Sequence, residues 1–106
     1  MTTSNKQHIR KIGINRGKRR IWLEGAELTD RSIRHGMRFN VHPGNNGMQI
    51  VINPDGKRKI AGTPARPIID MSGGTVTAAF SDDVEHFIVL KTDSGIMLKG
   101  CAAPWE

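Results

Sequence analysis

An internal repeat at a spacing of 48 residues limits the folds that this chain can adopt. Sliding the sequence against itself by that distance aligns 10–52 with 58–100 without a gap and gives nine identities in 43 positions. Both segments open on "RKI". Self-similarity at a fixed period indicates one structural unit built twice. We therefore expect repeat 1 at 9–54 and repeat 2 at 57–102, within a single domain that spans 1–106.

Apolar residues keep the same register in both repeats, even where the residue type changes. The aligned apolar pairs include Leu23 with Met71, Leu28 with Val76, Met48 with Ile96, and Ile50 with Leu98. A chain of 106 residues has room for one modest core, and a unit of about 48 residues is too small to bury a substantial core alone. The two repeats are expected to complete each other, with Phe39 and Phe87 at equivalent core positions.

Alternation of apolar and polar residues predicts the strands. It occurs at 20–24, 38–41 and 48–52, and is typical of half-buried strands. The last two are separated by "HPGNNG", and their counterparts by "TDSG", which have the residues of hairpin loops. Short strands are also expected in "HIRKIGI" and "KRKIAGT".

Two stretches are candidates for short helices. "AELTDRSI" is compatible with no more than two turns, and "SGGTVTAAFSDD" is the weaker candidate because Gly73 and Gly74 lower helix stability. The predicted fold is therefore mostly β, with the element order β-β-α-β-β occurring twice.

Positive charge is concentrated in the first half of the chain. The net charge is +6, but residues 1–52 have ten basic and three acidic residues, whereas residues 53–106 have six and seven. A basic balance favours polyanionic partners. The densest run is "RKIGINRGKRRIW" at 10–22, with six basic residues and no acidic one.

Within 10–52 a basic strand leads to Gly17, an Arg-rich strand, a short helix, Gly36, and a hairpin at Gly47. The positions that carry the pattern are Ile9 to Ile12, Gly17, Arg20, Ile21, Leu23, Leu28, Gly36, Phe39, Val41, Gly47, Ile50 and Ile52. This order resembles the AbrB/MazE/SpoVT swapped-hairpin superfamily, and "RRIWLEGAEL" is similar to its SymE branch. Two positions depart from the pattern: Glu24 replaces a frequent Pro, and Val84 stands where repeat 1 has Gly36.

The resemblance implies a fold. Such domains are homodimers that interleave their hairpins into one barrel, so two copies in one chain imply an internal pseudo-dimer. The expected architecture is a swapped-hairpin (AbrB-like) β-barrel of tandem β-β-α-β-β repeats. The chain would be a monomer of this kind or would pair again as a homodimer.

The resemblance also implies a nucleic-acid contact through the first two strands and their turn. The matching residues here are Arg10, Lys11, Arg16, Lys18, Arg19 and Arg20. A two-stranded ribbon can enter a major groove, where Arg and Lys contact phosphates or guanine edges. Arg31 and Arg34 are expected to extend this basic face, with Arg38 as a further candidate at the start of the next strand. The other interpretation is that these charges only keep an outer strand face in water.

The two repeats differ at this turn, because repeat 2 has "TPARP", in which Arg66 is the one cation. Three hypotheses follow. The first is a small nucleic-acid-binding protein of transcription regulation that prefers DNA to RNA. The second is a phage- or plasmid-type interaction protein or inhibitor that docks on a nucleoprotein complex, with the less basic repeat 2 contacting a protein. The third is a SymE-like RNA-directed toxin.

The sequence offers little for catalysis. Its four histidines show no metal-ligand spacing, and the single Cys101 allows neither an internal disulfide nor a zinc pattern. "DDVEH" at 82–86 fits either a cation or acid–base site or, more commonly, a polar turn. Trp22 either stacks on a base or covers the barrel exterior. We expect no enzyme activity, no metal and no cofactor.

No apolar run approaches the length that spans a bilayer, and the N-terminal segment has no apolar stretch of the secretory type. The sequence therefore predicts a cytoplasmic protein that does not bind membranes.

Overall fold

The computed structural model of the protein describes residues 9–101, and residues 1–8 and 102–106 lie outside the described part. The expected last residue of repeat 2, at 102, is among the latter. The strands are β1 (Ile9–Lys11), β2 (Gly13–Asn15), β3 (Lys18–Glu24), β4 (Arg38–Gly44), β5 (Gly47–Ile52), β6 (Arg58–Lys59), β7 (Ala61–Thr63), β8 (Arg66–Ser72), β9 (His86–Thr92) and β10 (Gly95–Cys101). The helices are α1 (Ala26–Thr29) and α2 (Gly74–Ala79). The prediction of a mostly β protein is confirmed.

The strands form two antiparallel sheets. A six-stranded sheet, curled like half a barrel, has the order β1-β9-β10-β5-β4-β6, and a four-stranded sheet has the order β2-β3-β8-β7. Strands from the two halves of the chain are interleaved in the larger sheet, since β1 pairs with β9 and β6 pairs with β4. Both halves therefore contribute to both sheets.

Corresponding elements of the two halves begin 48 residues apart: β3 and β8 at 18 and 66, β4 and β9 at 38 and 86, and β5 and β10 at 47 and 95. The strand registers follow the same spacing. Trp22 pairs with Asp70 in the centre of the β3–β8 pair, and Gln49 pairs with Met97 in the centre of the β5–β10 pair. Each central strand pair thus matches a residue with the one 48 positions later.

The space between the sheets is filled by one apolar cluster drawn from both halves. Its buried members are Ile12, Ile21, Leu23, Leu28, Ile33, Phe39, Met48, Ile50, Ile60, Ile69, Met71, Val76, Ala79, Phe80, Phe87, Val89, Ile96 and Leu98. The ring centroids of Phe80 and Phe87 are 6.1 Å apart. Phe80 aligns with Ser32 and Ile33 with Ser81, so the two halves fill the space beyond their helices with different side chains.

The two helices differ from expectation in relative length, because α2 has six residues and α1 has four. Gly73 precedes α2 rather than lying in it, with a φ of 75°, so only Gly74 weakens the helix itself. In the first half the chain leaves the helical path early: Ser32 has a φ of 65° and the Ile33 N–H donates to the Leu28 carbonyl at 3.0 Å.

The hairpin between β4 and β5 is tighter than "HPGNNG" suggested. Pro43 and Gly44 belong to β4, which leaves Asn45 and Asn46 as a two-residue turn. A proline fits there because β4 pairs with β6 only at Arg38 and Phe39, so the far edge of β4 at Pro43 needs no N–H donor.

Candidate nucleic-acid interface

The β2–β3 hairpin, residues 13–20, carries four of the eight predicted contacts and is called the basic arm. Its two-residue turn, Arg16–Gly17, has positive φ angles of 55° and 79°, as in the type I′ turn that suits the twist of a hairpin. Arg16 and Lys18 are exposed, and neither side chain has a hydrogen bond or ion pair with another described residue. Ile14 is 68% exposed. The arm therefore presents two free cations and one apolar side chain to solvent.

Arg19 is held by the second half of the chain. Its guanidinium donates one hydrogen bond to the Phe80 carbonyl at 2.8 Å and another to the Val84 carbonyl. Phe80 is the residue that ends α2, where unpaired carbonyls are common and a cation is favoured, and Val84 lies in the turn that follows. Arg19 thus fixes the arm to the segment after α2 and has fewer donors left for a phosphate.

Arg20 forms a two-pronged ion pair with Asp70, with Nε–Oδ1 at 2.8 Å and Nη2–Oδ2 at 2.9 Å. The hydrogen bonds from Arg20 lower the pKa of the Asp70 carboxyl, and the same bonds raise the pKa of Arg20. The guanidinium carbon also lies 4.4 Å from the centre of the Trp22 ring. The charge of Arg20 is therefore compensated within the chain. Its guanidinium also covers part of the Trp22 ring, which was a candidate for stacking on a base.

The two basic residues of β1 have different surroundings. Arg10 Nη1 lies 3.1 Å from Glu27 Oε1, and the Glu27 side chain is buried without a hydrogen bond to another described residue. Arg10 is thus the counterion of a buried carboxylate, which would be costly without it. Lys11 is exposed, and it lines a groove of about 330 Å³ together with Asp82 and Glu85.

Arg31 and Arg34 separate from the arm. Arg31 Nη1 donates to the Glu27 carbonyl at 2.7 Å and so stabilises the end of α1. Arg34 is exposed, and its side chain pairs with no described residue. The loop that carries it is joined to the chain beside β6, since the Gly36 N–H donates to the Ile60 carbonyl at 3.2 Å.

The eight predicted contact residues thus fall into two groups. Arg10, Arg19, Arg20 and Arg31 have partners within the chain, while Lys11, Arg16, Lys18 and Arg34 present their charge to solvent. Asp70 was missed as part of the site. The signal for it was its position 48 residues after Trp22, which made it a candidate cross-strand neighbour of the Arg-rich strand.

The "DDVEH" stretch forms a turn. Ser81 Oγ donates to Asp83 Oδ1 at 2.7 Å, the Val84 N–H donates to the Ser81 carbonyl at 3.0 Å, and Asp82 and Glu85 are exposed. Residues 9–101 contain no group of three or more His, Cys, Asp or Glu side chains placed to hold a metal ion. Over the same range, no helix is long and apolar enough to cross a membrane. Burial raises the pKa of the Cys101 thiol.

Comparison of the chain with family models, with curated proteins and with solved structures gave no match. The resemblance to the swapped-hairpin superfamily therefore depends on the residues named in the sequence analysis alone.

Proposed function

We propose that this protein is a small nucleic-acid-binding regulator that contacts duplex DNA with its basic arm. The observation that carries the proposal is the pair of exposed, uncompensated cations, Arg16 and Lys18, at the tip of a two-stranded hairpin. A ribbon of this width fits the major groove of B-form DNA. The major groove of an RNA duplex is deep and narrow, so a ribbon suits DNA better.

The strand order is the support for a tandem swapped-hairpin architecture. Because β1 pairs with β9 and β6 with β4, the first strand of each half adds to the hairpin of the other half. Such an exchange is what an internal pseudo-dimer requires. In this arrangement Arg19 and Arg20 position the arm through Phe80, Val84 and Asp70, while Arg16 and Lys18 contact phosphate.

Binding of a fluorescent duplex by the full chain, followed over a salt series, tests the proposal. Each neutralised phosphate contributes about −0.9 to the slope of log affinity against log salt. Replacing Arg16 and Lys18 by Gln should therefore make the slope shallower by about 1.8. The matched control is Lys91→Gln/Lys99→Gln, which removes the same charge from exposed positions on β9 and β10. If the two double variants had equal slopes, the basic arm would not be part of the contact with the duplex.

The second candidate is an interaction protein that docks on a nucleoprotein complex. It is favoured by the neutral hairpin of the second half, where the β7–β8 turn contains Pro64 and Ala65 and where Arg66 Nε lies 3.4 Å from Glu24 Oε2. Weak binding to isolated duplex, with tight binding to a protein–nucleic acid complex, would favour it. A clear preference for single-stranded RNA would instead favour the RNA-directed toxin.

A further inference from the structure

The structure assembles a second basic surface that the sequence order conceals. Five exposed cations from both halves of the chain lie along one edge of the sheet and are called the edge surface: Arg34, Arg38, Lys57, Arg58 and Lys59. In the β4–β6 pair, Arg38 is matched with Lys59 on one face of the sheet, and Arg58 is matched with Phe39 on the other face. The loop that carries Arg34 is held beside them, because the Ile60 N–H donates to the Met37 carbonyl at 2.8 Å and the Ile60 carbonyl accepts from Gly36.

The charge of the edge surface is not compensated within the described chain. Arg38 Nε donates to the Gly56 carbonyl at 2.7 Å, and Arg58 Nη2 donates to Thr75 Oγ1 at 3.0 Å. Both acceptors are neutral, so each guanidinium is oriented but keeps its charge and its other donors. Asp55 is the only acidic residue between positions 31 and 69 of the sequence. The surface therefore combines fixed guanidinium groups with free ammonium groups.

We infer that the edge surface is a second phosphate-binding surface for duplex DNA, separate from the basic arm. This inference rests on the proposed function. Guanidinium groups held by one hydrogen bond keep a fork that can bind phosphate oxygens, and the lysines add point charges. Phe39, which is paired with Arg58, is buried, and none of the five residues that define the edge surface is aromatic. Contact is therefore expected with the backbone and should not depend on base sequence.

An acidic protein is the other class of partner that a cationic surface could bind. Protein interfaces usually depend on aromatic or apolar anchors that fill pockets on the partner. The five residues that define the edge surface are all cations, and the apolar residues Phe39 and Ile60 beside them are buried. Phosphate groups are bound without such an anchor, so the edge surface suits a nucleic-acid backbone better than a protein partner.

The test uses the full chain and compares two variants with equal loss of charge. Lys57→Gln/Lys59→Gln alters the edge surface, and Lys91→Gln/Lys99→Gln is the control. Neither lysine of the edge pair makes a side-chain hydrogen bond or ion pair with a described residue, so the melting temperature should stay near that of the parent. The edge variant should lose two phosphate contacts, so its slope of log affinity against log salt should be shallower than that of the parent by about 1.8. The ratio of parent affinity to variant affinity should therefore fall about twelvefold between about 50 and 200 mM salt. Adding Arg34→Gln should make the slope shallower still, by about 0.9.

The outcomes separate this inference from the proposed function. If the edge variant matches the control while Arg16→Gln/Lys18→Gln loses slope, the edge surface is wrong and the proposed function stands. If the edge variant loses slope and the arm variant does not, the edge surface holds and the arm is wrong. A parent chain without salt-sensitive duplex binding overturns both. An edge variant that keeps duplex affinity but no longer binds polyglutamate assigns the surface to an acidic protein and overturns the inference.

Discussion

The two ends of the six-stranded sheet are built from equivalent elements but differ in charge. At the β6 end, the loop before β4 is basic and lies beside the basic strand of the second half. At the β1 end, the loop before β9 has Asp82, Asp83 and Glu85, and it lies beside Arg10 and Lys11 of the first half, where the Ile12 N–H donates to the Glu85 carbonyl at 2.8 Å. The β4–β6 pair thus brings basic residues beside basic residues at one end, and the β1–β9 pair brings basic residues beside acidic residues at the other.

This difference shows that the net charge of each half of the sequence does not tell where positive charge lies on the folded surface. The basic "KRK" of the nearly neutral second half completes a basic sheet edge, while in the first half Arg10 lies beside the Glu27 carboxylate and Lys11 lines a groove with Asp82 and Glu85. The charge at each end of the sheet is set by the strands that pair there, and at both ends these strands come from different halves of the chain.

The largest effect is expected from separating the halves. The fragment 1–54 should not fold cooperatively, because the β1–β9, β3–β8, β5–β10 and β4–β6 pairs all join one half to the other. Circular dichroism of the fragment during heating, beside the full chain, provides the measurement. A monomeric fragment with a sharp melting transition would mean that the first half has a core of its own and folds without the strand pairs that join it to the second half.

The equivalent core residues at the two ends should respond alike, although their surfaces differ. Phe39 and Phe87 are 3% and 1% exposed, and replacement of either by Ala should lower the free energy of unfolding by about 3–5 kcal/mol. Urea denaturation measures the loss. Ile14→Ala, at a position that is 68% exposed, is the control and should change stability by less than about 0.5 kcal/mol. A large loss at one Phe and none at the other would refute their equivalence.

The sequence alone predicted the mostly β class, the approximate positions of the longer strands and the burial of residues such as Phe39 and Phe87, because both the alternation of apolar and polar residues and the repeat spacing of 48 can be read from the sequence itself. It did not predict the full element order: the short strand expected in "HIRKIGI" is divided into β1 and β2, and the one in "KRKIAGT" into β6 and β7, and the two members of each pair lie in different sheets. It did not predict that Arg20 is paired with Asp70 or that Arg19 is bound to the Phe80 carbonyl. These partners lie 50 and 61 residues away, and they are known only once β3 is placed beside β8 and α2. The edge surface was missed for the same reason, since it requires the β4–β6 pair.

Making the β1 end resemble the β6 end should increase duplex affinity. Asp82 aligns with Arg34, so Asp82→Arg gives the acidic loop the cation of its basic counterpart. We expect the salt slope to become steeper by about 0.9, corresponding to one added phosphate contact. Asp93→Arg, in the β9–β10 turn, makes the same change of charge elsewhere and should leave the slope unchanged. Identical gains from both variants would show that net charge, rather than the sheet end, governs binding.

A small effect on stability is expected at the Arg20–Asp70 pair. The pKa of Asp70 in the folded state is lowered by Arg20, so the contribution of Asp70 to stability is present above the pKa of the unfolded chain and is lost as the pH falls through the folded value. The Asp70 side chain is 42% exposed, and Asp70→Asn should therefore cost less than about 1 kcal/mol at neutral pH. Chemical denaturation at neutral and at acidic pH should show this loss disappear on acidification. Asp55→Asn, at an exposed position with no ion pair to a described residue, should show no such change.

The same variant separates the two roles of arginine on the arm. Asp70→Asn would keep an acceptor for Arg20 but would remove the charge that compensates it, so the guanidinium would become available to phosphate while Trp22 still supports it at 4.4 Å. Duplex affinity should then rise and the salt slope should steepen by up to about 0.9, even though stability falls slightly. If Asp70→Asn instead weakened duplex binding, the ion pair would be needed to hold the arm in its binding geometry, and Arg20 would act through the shape of the hairpin rather than as a latent cation.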